Sequence, residues 1–316
     1  LRLPNDARER GDALLVSFIA GNVLAVVACC VMVPVHALSA GGDWSAAVFG
    51  NDFSLFLHPS YFAMYLCFAL AVTLLLQPVA AVRASIRLLV VIILCLGTVL
   101  CGSKAGWACL PVVLLVVLVM RWKDRSLRRM VVALFASSIL GVVLLTAASV
   151  NVRQRVLEAW HAVASPKDHA DATTSSEERK LVWDGALDVI SKNLPWGTGT
   201  GDVKDELVAS YARKGYERLV ELRLNAHDQY LQTMATLGWP GILLLLAMLV
   251  LPLIAMARMR DALGLIFFLL NAINWTVESM LEVQAGVVFF AFFLFVLAIR
   301  GSRSLSNDSA KSNDPA

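Results

Sequence analysis

Residues 262–299 read ALGLIFFLLNAINWTVESMLEVQAGVVFFAFFLFVLAI. As a single α-helix this run would be about 57 Å long, nearly twice the roughly 30 Å apolar core of a bilayer. It must therefore turn, and Asn274, Thr276, Glu278 and Ser279 mark the place. Each half then has the composition of a membrane helix. Runs of the same kind recur at 13–35, 57–77, 86–101, 105–121, 130–150 and 239–257, ahead of 262–277 and 282–299. The fold class read from this pattern is all-α: a polytopic transmembrane bundle of about eight helices.

Composition points the same way. Of 316 residues, 58% are hydrophobic and 16% charged, against about 45–50% and 25% in soluble domains. Disordered, collagen-like, coiled-coil and small disulfide-stapled classes are excluded. A net charge of +3 supplies no basic field for nucleic acid, which is not expected as a partner. The six cysteines lie in or beside apolar runs, without CxxC or Cys/His spacing. They read as small buried hydrophobes, and no metal is expected.

Lysine and arginine orient the bundle. Segments 1–12, 78–87, 121–129, 258–261 and 300–316 hold 15 of them, whereas 36–56, 102–104 and 278–281 hold only Lys104. The first set is expected to be cytoplasmic. Four regions follow: a five-helix membrane region 1–150, a helical outer loop 151–238, a three-helix membrane region 239–300 and a disordered tail 301–316. Leu1–Asp12 is polar and lacks a cleavable-signal pattern; it reads as a cytoplasmic loop of a longer protein.

The loop 151–238 carries 11 basic and 13 acidic residues, a mixed-charge surface. Ser175-Ser176-Glu177-Glu178 is a capping box, and Trp183, Leu187, Ile190 and Leu194 follow at helical spacing. Asn193-Leu194-Pro195 breaks that helix. A second is expected from Asp202 to a left-handed cap at Gly215, and a third from Asn225 through His227 and Tyr230 towards the membrane. Gly197-Thr198-Gly199-Thr200-Gly201-Asp202 lacks a P-loop Lys-Ser/Thr and a βαβ context. It reads as a turn between helices, with a backbone nest for an anion as the other possibility.

Candidate chemistry gathers at the outer boundary. His227, just inside a helix start, would be kept neutral by the positive helix end and able to act as a general base. Lys104, Arg179 and Arg223 could clamp a phosphorylated lipid, or contact headgroups. His58-Pro59-Ser60-Tyr61 opens a span. Glu278 and Glu282 could be solvated turn carboxylates, or could hold a basic catalytic residue in place.

Several of these segments resemble the bacterial O-antigen ligase/polymerase superfamily. Its signature is a histidine, then Asn, Ser or Gln, nine residues, Gly, two residues and Gly, Thr or Tyr. His227, Gly238 and Gly241 fall in register, and Asp228 departs from the usual residue. His58-Pro59-Ser60-Tyr61-Phe62, Ser103-Lys104-Ala105-Gly106, Glu178-Arg179 with Trp183, the glycine-rich 197–202 and Glu278-Ser279-Met280-Leu281-Glu282 are similar to further family segments, particularly of Bacteroidetes-type members. Lys104 stands where many relatives have Arg, keeping the charge without the bidentate fork. Members usually have more helices, which implies missing amino-terminal ones.

The resemblance implies a glycosyltransferase of the bacterial inner membrane with a periplasmic active face. It would move a glycan from undecaprenyl diphosphate to lipid A-core oligosaccharide or, in a polymerase, to another glycan repeat. No metal or other cofactor is implied, and the anomeric centre would invert. His227 would be the catalytic base. Arg179, Lys104 and Arg223 would bind the donor diphosphate, and Glu278, Glu282, His58 and Asp228 would support them. Membrane lipid is the remaining partner. A polytopic transporter is the competing class, disfavoured because ionisable residues gather at one face rather than at midplane.

Overall fold

The structure, a computed structural model, describes residues 6–39, 44–76, 83–148, 153–154, 157 and 175–301. All eight apolar runs are helical: α1 Asp6–Ser39, α3 Pro59–Leu75, α4 Ala84–Leu100, α5 Lys104–Met120, α6 Arg125–Ala148, α10 Gln229–Arg258, α11 Ala262–Trp275 and α12 Gln284–Gly301. A short α2, Trp44–Ala47, lies between the first two. The described residues contain no strand. The polar tail beyond residue 301, the first five residues and 158–174 of the long loop lie outside the described residues.

Two stretches, Glu9–Ser39 and Gln229–Arg258, have the length and composition to cross a membrane unaided, and five further apolar helices are shorter. What separates the bundle from a soluble one is where its large apolar side chains point. Leu24, Val31, Leu244, Leu251 and Phe295 are each more than 60% exposed on the outer faces of their helices. Continuous apolar exposure of that kind is not tolerated in water and costs nothing against lipid. The chain is an all-α bundle of the membrane class.

Helix α3 is the centre, packed on α1, α4, α5 and α11. It is apolar all round and buried along nearly its whole length, as a helix enclosed by others must be. Lipid tails are as apolar as leucine, so contact and close approach hold these helices together rather than expulsion of water. Aromatic rings supply much of the contact: Tyr65 stacks on Phe289 at 4.6 Å, and Phe68 meets Phe293 edge-on at 4.8 Å. Gly106 supplies close approach, since a Cβ there would lie 2.4 Å from that of Ala63. It lets the start of α5, with Lys104, press against the start of α3.

The turn foreseen in 262–299 is present: α11 ends at Trp275, a single 3-10 turn spans Met280–Glu282 and α12 begins at Gln284. Successive antiparallel helices then bring the starts of α3, α5, α10 and α12 and the end of α11 to one end of the bundle. The ends of α3, α5, α10 and α12 lie at the other.

At the first end lies a second, smaller core built by α7 Ser175–Asn193, α8 Val203–Lys214 and α9 Glu217–Leu222. Val182, Ala186, Val189, Leu207, Tyr211 and Leu219 fill it together with Ala226 and Ala235. Helix α7 begins and breaks where expected, but its buried face is only partly the one the spacing indicated: Ile190 is buried and Trp183 packs against the core. Leu187 and Leu194 are exposed, and Val182, Ala186 and Val189 point inward. Small residues win that face because α8 lies close: Gly185 packs against the Tyr211 ring, which a Cβ would strike at 2.3 Å. Helix α8 starts after Asp202 and ends at Gly215 with φ 74°, as predicted. Helix α9 was not foreseen.

Candidate functional site

Glu278 is the hub of the polar end. It sits in the turn between α11 and α12, only 6% exposed. Its Oε1 accepts from Arg179 Nη2 at 2.9 Å and from Ser60 Oγ at 3.3 Å. Its Oε2 lies 3.3 Å from His227 Nδ1, and His58 Nδ1 lies 3.9 Å from Oε1. Arg179 also donates to the Val277 carbonyl at 3.2 Å, so α7 is tied to the turn by two bonds. Burial pushes the Glu278 carboxyl up, but His227, Arg179 and His58 outweigh it and hold the group below its ordinary value. The carboxylate is therefore ionised and works as a fixed anion.

His227 is placed differently from the sequence expectation. Helix α10 begins at Gln229 with Asp228 as N-cap, its Oδ1 accepting from Leu231 N–H at 2.8 Å. His227 thus precedes the cap, in left-handed backbone at φ 45°. The helix end is not what sets its state. With Nδ1–H directed at Glu278, the neutral ring presents Nε2 as the acceptor. Asn225 Oδ1 accepts from His227 N–H at 3.1 Å and fixes the loop.

These groups face a cleft of about 280 Å³, lined by His58, Ser60, Ser103, Lys104, Arg179, His227 and Glu278 among others. Lys104 enters as the first residue of α5, whose N-cap Ser103 accepts from Gly106 N–H at 3.2 Å. The structure thus brings His227, Arg179, Lys104, Glu278 and His58 into one place.

The remaining three stand elsewhere. Arg223 is half exposed and pairs with Asp205 at 2.5 Å. It lines a neighbouring cavity of about 660 Å³ that shares His227 with the cleft. Among the described residues Glu282 pairs with no basic side chain; it accepts from Asn225 Nδ2 at 2.8 Å and from Gln232 Nε2 at 2.5 Å, bracing the His227 loop. Asp228 serves α10 as a cap, and burial pushes its carboxyl up against the pull of the Leu231 and Tyr230 N–H groups.

Some groups escaped the sequence reading. Ser60, inside the His58–Tyr61 motif, donates to the hub carboxylate. Gln232 supports the His227 loop twice, its Oε1 accepting from Ala226 N–H at 2.9 Å. The signal was available: Gln229, Gln232, Thr233 and Thr236 form a polar stripe at helical spacing where α10 meets the membrane end.

The glycine-rich segment proves to be a clamp. Gly238 breaks α10 locally (φ 61°, ψ −148°), which frees backbone groups on either side. Thr198 N–H donates to the Ala235 carbonyl at 2.9 Å, Gly199 N–H to that of Thr236 at 2.8 Å, and Trp239 N–H to that of Pro195 at 2.9 Å. A Cβ on Gly238 would lie 2.0 Å from the Pro195 oxygen. With the Gly197, Thr198 and Gly199 amides all bonded to backbone carbonyls, the first half of the segment is a structural turn and cannot serve as an anion nest.

A helical membrane bundle with a buried carboxylate, cations and a histidine converging at one end defines the class. A family model described as O-antigen ligase matches residues 89–246, half of the chain. The chain belongs to this family of membrane proteins. The matched segment contains Lys104, Arg179, His227 and Gly238 and stops before Glu278. A Haemophilus influenzae protein, described only as uncharacterized, is 24% identical over 214 residues, covering 63% of this chain and 53% of that protein. The chain spans about half the length of that relative.

Proposed function

We propose that the protein is an O-antigen ligase-type glycosyltransferase. It transfers a glycan from undecaprenyl diphosphate to a hydroxyl of lipid A-core oligosaccharide at the periplasmic face of the inner membrane. The observation that carries the reading is the convergence of His227, Glu278, Arg179 and Lys104 on one cleft. Glu278 holds the Nδ1–H tautomer, and His227 Nε2 takes the acceptor proton as the hydroxyl oxygen attacks the anomeric carbon. The bond from that carbon to the diphosphate oxygen breaks with its electron pair staying on oxygen. Arg179 and Lys104 neutralise the departing charge. Attack opposite the leaving group inverts the anomeric centre.

The transport reading finds less support. Asn22, Thr73, Thr98 and Asn271 are buried polar side chains within the helices. Each bonds a carbonyl one turn back on its own helix, at 2.8–2.9 Å, rather than lining a path.

The size ladder of surface glycan in a strain lacking the gene tests the proposal. Loss of all lipid A-linked polymer is the expected result. A product with a single repeat would assign polymerase activity instead, and an unchanged ladder would contradict both.

A further inference from the structure

The end of the bundle opposite the His227 cleft holds a cavity that this chemistry does not use. It measures about 320 Å³ and lies between the ends of α3, α5, α10 and α12, with Arg121, Arg260, Arg300, Asp12 and Asp261 in its wall. A second cavity, about 680 Å³, shares Met120, Arg121 and Arg260 with it and extends along Trp122 and Lys123.

The charges in these walls leave a small positive excess: Arg121, Lys123, Arg260 and Arg300 against Asp12, Asp124 and Asp261. Asp12 is spent on Arg300, Oδ1 to Nε at 2.6 Å. Asp261 Oδ1 caps α11, accepting from Leu263 and Gly264 N–H at 3.1 and 3.2 Å. Asp124 Oδ1 caps α6 through Ser126 and Leu127 N–H, both at 3.0 Å. Among the described residues, no carboxylate forms an ion pair with Arg121 or Arg260, and both side chains are exposed. Arg260 also occupies a position that glycine fills more readily. It closes α10 at φ 54°, its N–H reaching the Ala257 carbonyl while Asp261 N–H reaches that of Met256, a Schellman end. Keeping arginine there sets backbone comfort aside for a guanidinium at the cavity mouth.

We infer that this paired cavity binds the phosphodiester headgroup of an anionic phospholipid from the leaflet on the Lys/Arg-rich side of the bundle. Two guanidiniums lacking carboxylate partners offer planar donor forks to a phosphate. Trp122, 56% exposed beside them with Arg128 5.0 Å from its ring centre, has the amphipathic character of an interfacial anchor. The acyl chains would pass onto the exposed apolar face of α5, where Leu115 and Val119 point outward. A free phosphate shares the headgroup chemistry, but it has no use for Trp122 or for that apolar face.

Native mass spectrometry of the purified chain in detergent tests this, with phosphatidylglycerol and phosphatidylcholine as probes. The parent is expected to retain phosphatidylglycerol roughly tenfold more tightly, the worth of one charge-assisted pair. Arg121→Gln combined with Arg260→Gly should bring the two lipids to within about twofold. The glycine suits the left-handed helix end, so folding is expected to survive, and an unchanged melting temperature checks it. Arg83→Gln, on the same end but outside both cavities, should keep the preference. Equal retention of the two lipids by the parent would overturn the inference. So would a preference that persists in the double variant, an equal loss in Arg83→Gln, or displacement of phosphatidylglycerol by millimolar inorganic phosphate.

Discussion

The two polar ends of the bundle use charge in opposite ways. At the His227 end, one buried carboxylate joins side chains from α3, α7 and the loop before α10, up to 218 residues apart in sequence. At the other end the acids act mostly at home: Asp124 and Asp261 cap the helices that follow them, and Arg87 caps α3 through the carbonyls of Thr73 and Leu74. Local capping fixes where helices stop. The long-range pair at that end, Asp12 with Arg300, joins only two side chains, so what sets the His227 end apart is one buried carboxylate that gathers several groups.

Breaking the network should have the largest effect. Glu278→Ala leaves Arg179 and His227 without their shared anion, a loss on the order of 3–5 kcal/mol for an interrupted buried pair; both transfer and melting temperature should fall sharply. Glu278→Gln keeps the shape and isolates the charge. Because Glu278 is held below its ordinary value of 4.5, its contribution is complete above that pH and is lost as pH falls through the lowered value. The melting-temperature gap between parent and Glu278→Gln should therefore be widest at neutral pH and narrow only once pH has fallen below 4.5 and through the lowered value.

A smaller, purely structural loss is expected from Gly238→Ala. Left-handed backbone costs about 1–3 kcal/mol, and the collision with Pro195 adds to it, so melting should drop while residual activity follows the folded fraction. The smallest effect belongs to the opposite end. Arg129→Gln, at an exposed residue bonded to its own helix at the Arg125 carbonyl, should change stability by no more than about 0.5 kcal/mol and leave transfer unchanged. A large loss of transfer in Arg129→Gln would erase the contrast between the ends.

How far the sequence could be read follows from the same contrast. The eight helices were legible because membrane thickness sets their length, and the turn because Asn274, Thr276, Glu278 and Ser279 interrupt an overlong apolar run. Local signals also carried Gly215 and the break at Pro195. The inward face of α7 was legible only in part: Ile190 and Trp183 lie on it as the spacing indicated, whereas Val182, Ala186 and Val189 are chosen by the proximity of α8 rather than by hydrophobicity alone. His227, Arg179, Lys104, Glu278 and His58 could be gathered because all lie near predicted outer boundaries. Their wiring could not: Glu282 and Glu278 look equivalent in sequence, yet only the second meets Arg179 and His227. The capping role of Asp228 was hidden by placing the helix start at Asn225.

The central claim is that His227 is a base held in one tautomer by Glu278. It is tested most directly by single-turnover transfer in vesicles containing undecaprenyl-diphosphate-linked glycan and lipid A-core acceptor. His227→Ala is expected to lower the transfer rate by about 10²–10⁴-fold, with donor lipid still bound and melting temperature close to that of the parent. A His227→Ala protein that melts normally and transfers glycan at near the parent rate would contradict the account.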